Sequence, residues 1–444
     1  MEKTPIRIAM ISLGCPKNQV DAEEMLAKLE TQGCQVEEDA TQSDVIIVNT
    51  CGFIEAAKKE SIENILAAAR LKEEGGVKGL IVTGCLSERY FHEMRDEFPE
   101  VNCILQVGRA GDIFQAVQAA IKGQILDLSG RPESLASGGA RILTTQPYAS
   151  YLKIAEGCDN RCTYCIIPRL RGRYRSRPLA ELAKEATMLV QKGVKELTLV
   201  AQDTARYGTD LHQQTENLPA LLHELCKIDG LHWIRLLYCY PEAITDELID
   251  TIASEKKVVP YLDMPIQHVS PKVVRAMNRQ LDHAQIRTLV QKLRTRIPGI
   301  VLRTTLIVGF PGETEAEFAE LAAFVQEMQF DRLGVFPYSQ EEGTPAAKMS
   351  GQIEEETKIR RQNCIIEEQL RVTEELDAKR IGEKVELLVE GYDEEMACYF
   401  GRSAAEAPEI DGLIWIRSQN TLQPGTFVQG QIVESREGEL FADH

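Results

Sequence analysis

Cys158, Cys162 and Cys165 lie in the segment EGCDNRCTYCIIPRLRG, three thiols close together with no obvious fourth. A cluster of four irons and four sulfides takes one thiolate per iron, so three ligands leave one iron open to a substrate or cofactor group. Structural zinc instead closes its tetrahedron with four Cys or His ligands, commonly as two closely spaced pairs. Neither a second pair nor a neighbouring His is present, and His223 and His232 stand alone. The spacing therefore points to an incompletely ligated iron-sulfur cluster, with chemistry at the open iron.

Three more cysteines share one pattern. RIAMISLG ends at Cys15, DVIIVNT at Cys51 and GLIVTG at Cys85. Short Ile- and Val-rich runs separated by amphipathic stretches over 17–32 and 54–72 predict a parallel sheet with crossover helices. Functional groups in such sheets gather beyond the C-terminal ends of the strands. The cysteines are 36 and 34 residues apart, too far for a local site, yet each holds the same strand-end position. Their convergence would build a second three-cysteine cluster; the alternative is that each is a small buried residue in a strand-to-helix turn. Cys34, Cys103, Cys226, Cys239, Cys364 and Cys398 share no motif and read as packing residues.

These sites need a large scaffold. At 444 residues the chain exceeds the usual single core, which predicts two or three domains. With 43% hydrophobic and 27% charged residues it has an ordinary globular composition. MEKTPIRIAMISLG lacks a long apolar stretch with a cleavage site, and no run approaches the roughly 18 apolar residues of a membrane span. A cytoplasmic location is expected. Twelve cysteines without a secretion signal fit metal or redox chemistry better than disulfides. The formal charge of -18, from 68 acidic and 50 basic residues, argues against a broad nucleic-acid footprint and calls for inspection domain by domain.

The first domain is expected over 1–128. SGRPESLASGGAR (129–141) has linker composition, within a linker drawn over 129–147. From 148 to 378, YLKIAEG, KELTLVAQD, WIRLLYCY, YLDMPIQH, VLRTTLIVGF and DRLGVFPYS predict six strands. They alternate with helices near 178–192, 242–256, 270–279, 284–297 and 314–328. Six such units suggest a parallel barrel, complete or partial, with its reactive end at the C-terminal strand edges. Gln202 and Asp203, Gln267 and His268, and Gly309, Phe310, Pro311, Gly312 and Glu313 follow strands there. The glycines would admit a ligand to the backbone, or serve a Pro-Gly turn. Arg303 offers a fork for a carboxylate, or is a surface arginine; His268 reads as a satisfied structural histidine. Arg169, Arg171, Arg173, Arg175 and Arg177 alternate, so an extended chain would present all five on one face, for an anion or for solvent. A charged helix over about 352–380 leads to 379–444, where KVELLVEGY, LIWIRSQN and FVQGQIVES predict a small antiparallel β domain.

The cysteine spacing with Tyr164 before the last thiol resembles the radical S-adenosylmethionine (SAM) superfamily, whose usual fold is a partial barrel of six βα units. That resemblance implies SAM chelating the open iron. Tyr164, Gln202, Arg303, Gly309 and Phe310 are the candidate cofactor contacts. The tail resembles a TRAM domain. The whole order, a Rossmann-like parallel α/β domain, a partial (β/α)6 barrel and a TRAM-like barrel, resembles the radical SAM methylthiotransferases. SLGCPKNQVDAE and GCDNRCTYCIIPRLRGRYRSR resemble the RimO branch, which modifies an aspartate of small-subunit ribosomal protein uS12; Ala22 departs from a more usual Ser. The resemblance implies two 4Fe-4S clusters, held by Cys15, Cys51 and Cys85 and by Cys158, Cys162 and Cys165. It also implies SAM as cosubstrate and a flavodoxin- or ferredoxin-type reductant. A related branch, MiaB, modifies tRNA adenosine and is the nearer alternative; a noncatalytic iron-sulfur protein of the ribosome is the more distant one. Residues 381–444 carry 13 acidic and 4 basic residues, a net of -9, which suits a basic ribosomal protein and not direct nucleic-acid binding by the tail.

Overall fold

A computed structural model describes residues 4–130, 138–211, 215–436 and 438–444. Three large sheets follow one another along the chain, and a fourth, of two strands, pairs Ala155–Glu156 with Arg175–Ser176. The first runs Gln35–Val36, Arg7–Ser12, Val45–Thr50, Gly79–Gly84, Cys103–Leu105, Leu126–Leu128, all neighbours parallel. Val45–Thr50 and Gly79–Gly84 are buried along their whole length, which is why they read as unbroken apolar runs. Strand order reverses between Arg7–Ser12 and Val45–Thr50, the switch point at which doubly wound sheets open a crevice.

The second sheet holds the six expected strands, Ala149–Lys153, Glu196–Val200, Trp233–Leu236, Val258–Asp263, Val301–Val308 and Arg332–Pro337. Each is parallel to its sequence neighbour, and the first and last do not pair, so the barrel is open. Val301–Val308 alternates fully buried with half-buried residues: one set packs on the outer helices, and Arg303 and Thr305 face the lumen. The helix Glu355–Lys379 leads to a closed barrel of Lys384–Asp393, Cys398–Arg402, Ile414–Arg417, Glu439–Asp443 and Phe427–Arg436. Its pairings are antiparallel except Ile414–Arg417 with Glu439–Asp443, which run parallel.

This closed barrel seats under the N-terminal ends of the second sheet. Glu196 joins Arg235 and Arg402, each at 2.8 Å and all three buried. The segment 403–411 enters the lumen from below: Arg235 donates to the Ala404 carbonyl, Tyr151 to Glu409 at 2.9 Å and Tyr261 to Asp411 at 2.7 Å. Val20 from the first domain joins Tyr151, Val200, Tyr261, Leu388 and Ala407 in one apolar cluster, so all three domains share a core.

The linker expected over 129–147 falls partly on 131–137, which lie outside the described residues. At its far end Arg141 is 2% exposed, paired with Glu23 and, at 3.1 Å, with Glu185. The arginine ladder is not one extended face. Pro168 starts the short helix Ile167–Arg171, Gly172 ends it at φ +77°, and the chain resumes as Arg175–Ser176, so Arg171 and Arg177 are buried while Arg173 is exposed. Cys364 is exposed on the Glu355–Lys379 helix and is not a packing residue. Among the described residues no helix is long and apolar enough to cross a membrane.

Candidate functional site

Cys15 is the N-cap of the helix Pro16–Thr31, with Pro16 at the first helical position where a missing N–H costs nothing. Cys51 follows Val45–Thr50, and Cys85 opens the helix Cys85–Arg89. The three strand ends press together through glycines. A Cβ on Gly14 (φ +94°) would lie 3.1 Å from Cys51 Sγ, and one on Gly52 would lie 2.8 Å from the Leu86 backbone, beside Cys85. Gly84, at φ +98°, leaves no room at all, since its Cβ would fall 2.3 Å from the Thr50 carbonyl oxygen. Asn18 ties the turn, donating to the Leu13 carbonyl at 2.7 Å, and Ser61 both donates to and accepts from the Cys51 backbone. Burial pushes the Cys51 thiol up and Cys85 to about 11, against the opposing pull of Arg171. Such thiols are neutral until a cation takes their protons' place.

The second site is one loop. Gly157 (φ +83°) turns the chain into it, and any Cβ there would sit 2.1 Å from the Arg173 carbonyl oxygen. Cys158 N–H donates to Gly172 O at 3.1 Å, Thr163 is pinned to Ala276 and Met277, and Cys165 N–H donates to Cys162 O. Burial pushes the Cys158 thiol to about 11 and Cys165 higher. Around the loop lie buried polar atoms without a hydrogen-bond partner: Tyr164 Oη, Gln202 Oε1, Asp203 Oδ1, Arg279 Nη1 and Tyr338 Oη. Buried polar groups are normally paired, so this ring of orphans fits a polar ligand such as SAM. Among the described residues no three His, Cys, Asp or Glu side chains close around a single metal ion. In a four-iron cluster each thiolate would take its own iron, so three cysteines would leave the fourth iron open.

The two sites adjoin. Cys85 packs against Ile166 and Leu170, and Ile166 directly follows Cys165. Arg171, 2% exposed, donates to Cys85 Sγ at 3.4 Å and to Asn18 at 3.0 Å, and pairs with Asp21 at 2.6 Å and Glu156 at 3.2 Å. Glu156 also accepts from Lys153 and, at 2.9 Å, from Gln202; burial disfavours its charge, but Arg171 and Lys153 hold its carboxyl well below the usual range. Lys153 pairs with Asp21 as well. Glu341 adds a second bridge, to Arg89 at 2.8 Å and Lys58 at 3.2 Å.

The candidate residues divide accordingly. The six cysteines form two groups of three. Tyr164 and Phe310 share an apolar cluster with Val273, Met277 and Tyr338, Phe310 meeting Tyr338 edge-on at 5.4 Å. Gln202 has one amide group paired and one oxygen free. Arg303 pairs with Asp263 at 2.8 Å, so part of its fork is already taken by a protein carboxylate. Gly309, at φ +73°, makes room for Lys358, which a Cβ would strike at 2.3 Å. His268 is buried but only half satisfied: Nδ1 accepts from Ser270 N–H at 3.1 Å, Nε2 has no hydrogen bond, and burial holds its pKa down near 3. Sequence reading passed over Lys17, Asp21, Glu156 and Arg279. The last of these, stacked on Tyr240 at 4.3 Å and bound by Glu242, carries positive charge close to the cysteine loop.

Comparison with known proteins places these elements. Residues 7–106 match the model described as "Uncharacterized protein family UPF0004", 152–325 the radical SAM superfamily and 381–444 the TRAM domain. The chain is 48% identical to the ribosomal protein uS12 methylthiotransferase RimO of Caldanaerobacter subterraneus, over 98% of this chain and 99% of that one. It is 46% identical to the protein of the same name from Clostridioides difficile, over 99% and 98%. Among solved structures, the radical SAM methyltransferase TsrM of Kitasatospora setae aligns at TM-score 0.59 and 16% identity, over 77% of each chain, a likeness of fold.

Proposed function

The chain belongs to the family of RimO ribosomal protein uS12 methylthiotransferases, and we propose that it attaches a methylthio group to the β-carbon of an aspartate of uS12. It is a radical SAM enzyme that forms a carbon-sulfur bond, with two 4Fe-4S clusters and SAM. The observation that supports the residue assignment is the packing of Cys85 on Ile166, the residue after Cys165, which sets one member of each cysteine group close to the other group. In this reading Cys15, Cys51 and Cys85 hold the auxiliary cluster, and Cys158, Cys162 and Cys165 the cluster that binds SAM. When bound, these groups supply one-electron cleavage of SAM and a transferable methylated sulfur, which side-chain acids and bases cannot provide.

The protein's own residues position and exclude. Gln202 Oε1 and the Tyr164 hydroxyl are free to take the polar groups of SAM, while Phe310 packs behind them. Arg171 orients Cys85, and Asp21 and Glu156 hold Arg171. The segment 403–411 closes the lumen from below, leaving substrate the cysteine end as its entrance. The domains in this reading are 1–128, 148–378 and 379–444. A ribosomal substrate fits a cytoplasmic setting, with a flavodoxin- or ferredoxin-type protein as the source of electrons. Mass spectrometry of uS12 and of tRNA nucleosides, from cells with and without the gene, tests the substrate. A methylthio group missing from uS12 alone is the expected result; one missing from tRNA alone would replace uS12 by an adenosine substrate.

A further inference from the structure

The loop that carries Cys158, Cys162 and Cys165 is basic in an acidic chain. Residues 157–177 hold one acid, Asp159, and six arginines, whereas the whole chain carries -18. Two of the six are structural, Arg171 and Arg177 being buried against carboxylates. Arg161, Arg169 and Arg173 are exposed. Arg173 shows 89% of its side chain to solvent and reaches Asp159, itself 52% exposed, only at 3.9 Å, a wet contact that leaves both charges largely unscreened by each other. Arg275, also exposed, stands one turn before Asn278, whose side-chain amide donates to the Arg161 carbonyl at 2.8 Å, so a fourth exposed guanidinium borders the loop. The thiols lie directly beneath. Cys162 follows Arg161 and is 4% exposed; Cys158, 5% exposed, is bonded through its N–H to Gly172, the residue before Arg173. A partner seated on these arginines covers the cysteine loop.

We propose that this arginine rim is the docking surface for an acidic one-electron carrier protein. The proposal rests on the radical SAM reading of the loop and on the cluster assigned to it above. Each reductive cleavage of SAM consumes one electron that side chains do not supply. The reduced carrier gives up that electron and is oxidised by one, the cluster is reduced by one, and no bond forms or breaks in the transfer. A chain at -18 repels an acidic protein at long range, so a carrier of that charge needs a local positive face, and arginines bordering one loop steer it to the thiols. Electron-transfer contacts are small and transient, so a few charges suffice to direct them. The same face repels a basic ribosomal protein. The two macromolecular partners are thereby sorted by sign: the acidic tail over 381–444 suits the substrate, and the rim suits the electron donor.

The test is anaerobic binding of the cluster-loaded protein to two acidic carriers in turn, oxidised flavodoxin and oxidised ferredoxin, read as association rate and as equilibrium affinity. Binding of at least one should weaken steeply as salt rises from about 0.05 to 0.5 M. Arg161→Glu with Arg173→Glu should slow association about 10- to 100-fold at low salt, while Arg161→Lys with Arg173→Lys keeps most of the rate. Iron content, and SAM cleavage driven by dithionite, a small reductant that needs no docking surface, should stay at parental values in both. A charge-reversed protein that keeps its iron and binds the carrier as the parent does overturns the proposal, as does parental binding indifferent to salt. Should charge reversal cost iron, amide hydrogen exchange of the parent decides: the carrier should protect 159–175 and 275–278, and protection confined to other segments overturns the proposal. A short RNA duplex that binds with the same charge dependence, when neither carrier binds, would assign the rim to phosphates and overturn it as well. Dithionite-driven cleavage by a parent protein that binds neither carrier removes the docking surface alone; a loaded parent that cleaves no SAM with any reductant removes the radical reading beneath it.

Discussion

The two cysteine sites use the same number of thiols but are specified differently. Cys158, Cys162 and Cys165 are placed by a few bonds of one loop, entered at Gly157. Cys15, Cys51 and Cys85 are placed by three strands whose ends meet only because the first sheet reverses its order at a switch point. A local site depends on turn geometry, whereas an assembled site depends on the register and spacing of a whole sheet. The contrast predicts which damage each tolerates.

The largest effect is expected from the cysteines proposed as ligands. Cys162→Ala should abolish reductive SAM cleavage and Cys51→Ala should leave cleavage without methylthio product, each losing about half the iron; product from Cys51→Ala would break the comparison. A mirrored pair of glycines comes next. Gly84→Ala, with a Cβ 2.3 Å from Thr50 O, should cost the auxiliary cluster while SAM cleavage persists. Gly157→Ala, with a Cβ 2.1 Å from Arg173 O, should do the reverse. The left-handed backbone alone contributes about 1–3 kcal/mol in each case, and iron analysis with parallel cleavage assays reads the split.

Arg171→Gln tests the bridge between the sites. Asp21 and Glu156 would keep Lys153 but lose one of their two cations, which should cost about 1.5–3 kcal/mol by urea unfolding, and loss of positive charge at Cys85 Sγ should move the auxiliary cluster to a more negative potential. The smallest effect concerns the far end of the assembled site. Burial pushes the Asp44 carboxyl up, but the Arg7 N–H and Lys78 outweigh it and hold it down at about 2. A depressed carboxylate stabilises the fold above its ordinary pKa and loses that contribution as pH falls from about 4 towards 2. Asp44→Asn should therefore cost about 1–2 kcal/mol at pH 7, after solvent screening. The difference from the parent should vanish near pH 2 in urea titrations of the apoprotein.

The same contrast decides what could be read from the chain. The loop site was visible as a string, and the assembled site as a repeat of apolar run, glycine and cysteine. Strand periodicity gave all six strands of the second sheet. The arginine ladder misled because alternation was weighed above punctuation: Pro168 and Gly172 already marked a one-turn helix between its members. Arg141 looked like linker because Glu23, its partner, is 118 residues away, and no local pattern encodes such a pair. Tail charge was legible as a count but not as a surface, since Glu390, Glu406 and Asp411 turn inward to Arg402, Arg332 and Tyr261.

The segment 403–411, threaded into the lumen from below, has a consequence for interchange. A domain that hangs beside an enzyme can be traded for another of its kind, and specificity travels with it. Here Ala404, Glu406, Glu409 and Asp411 are keyed to Arg235, Arg332, Tyr151 and Tyr261. A barrel grafted from a relative would have to carry its own matching insert, or the host would receive a foreign tail and lose its floor.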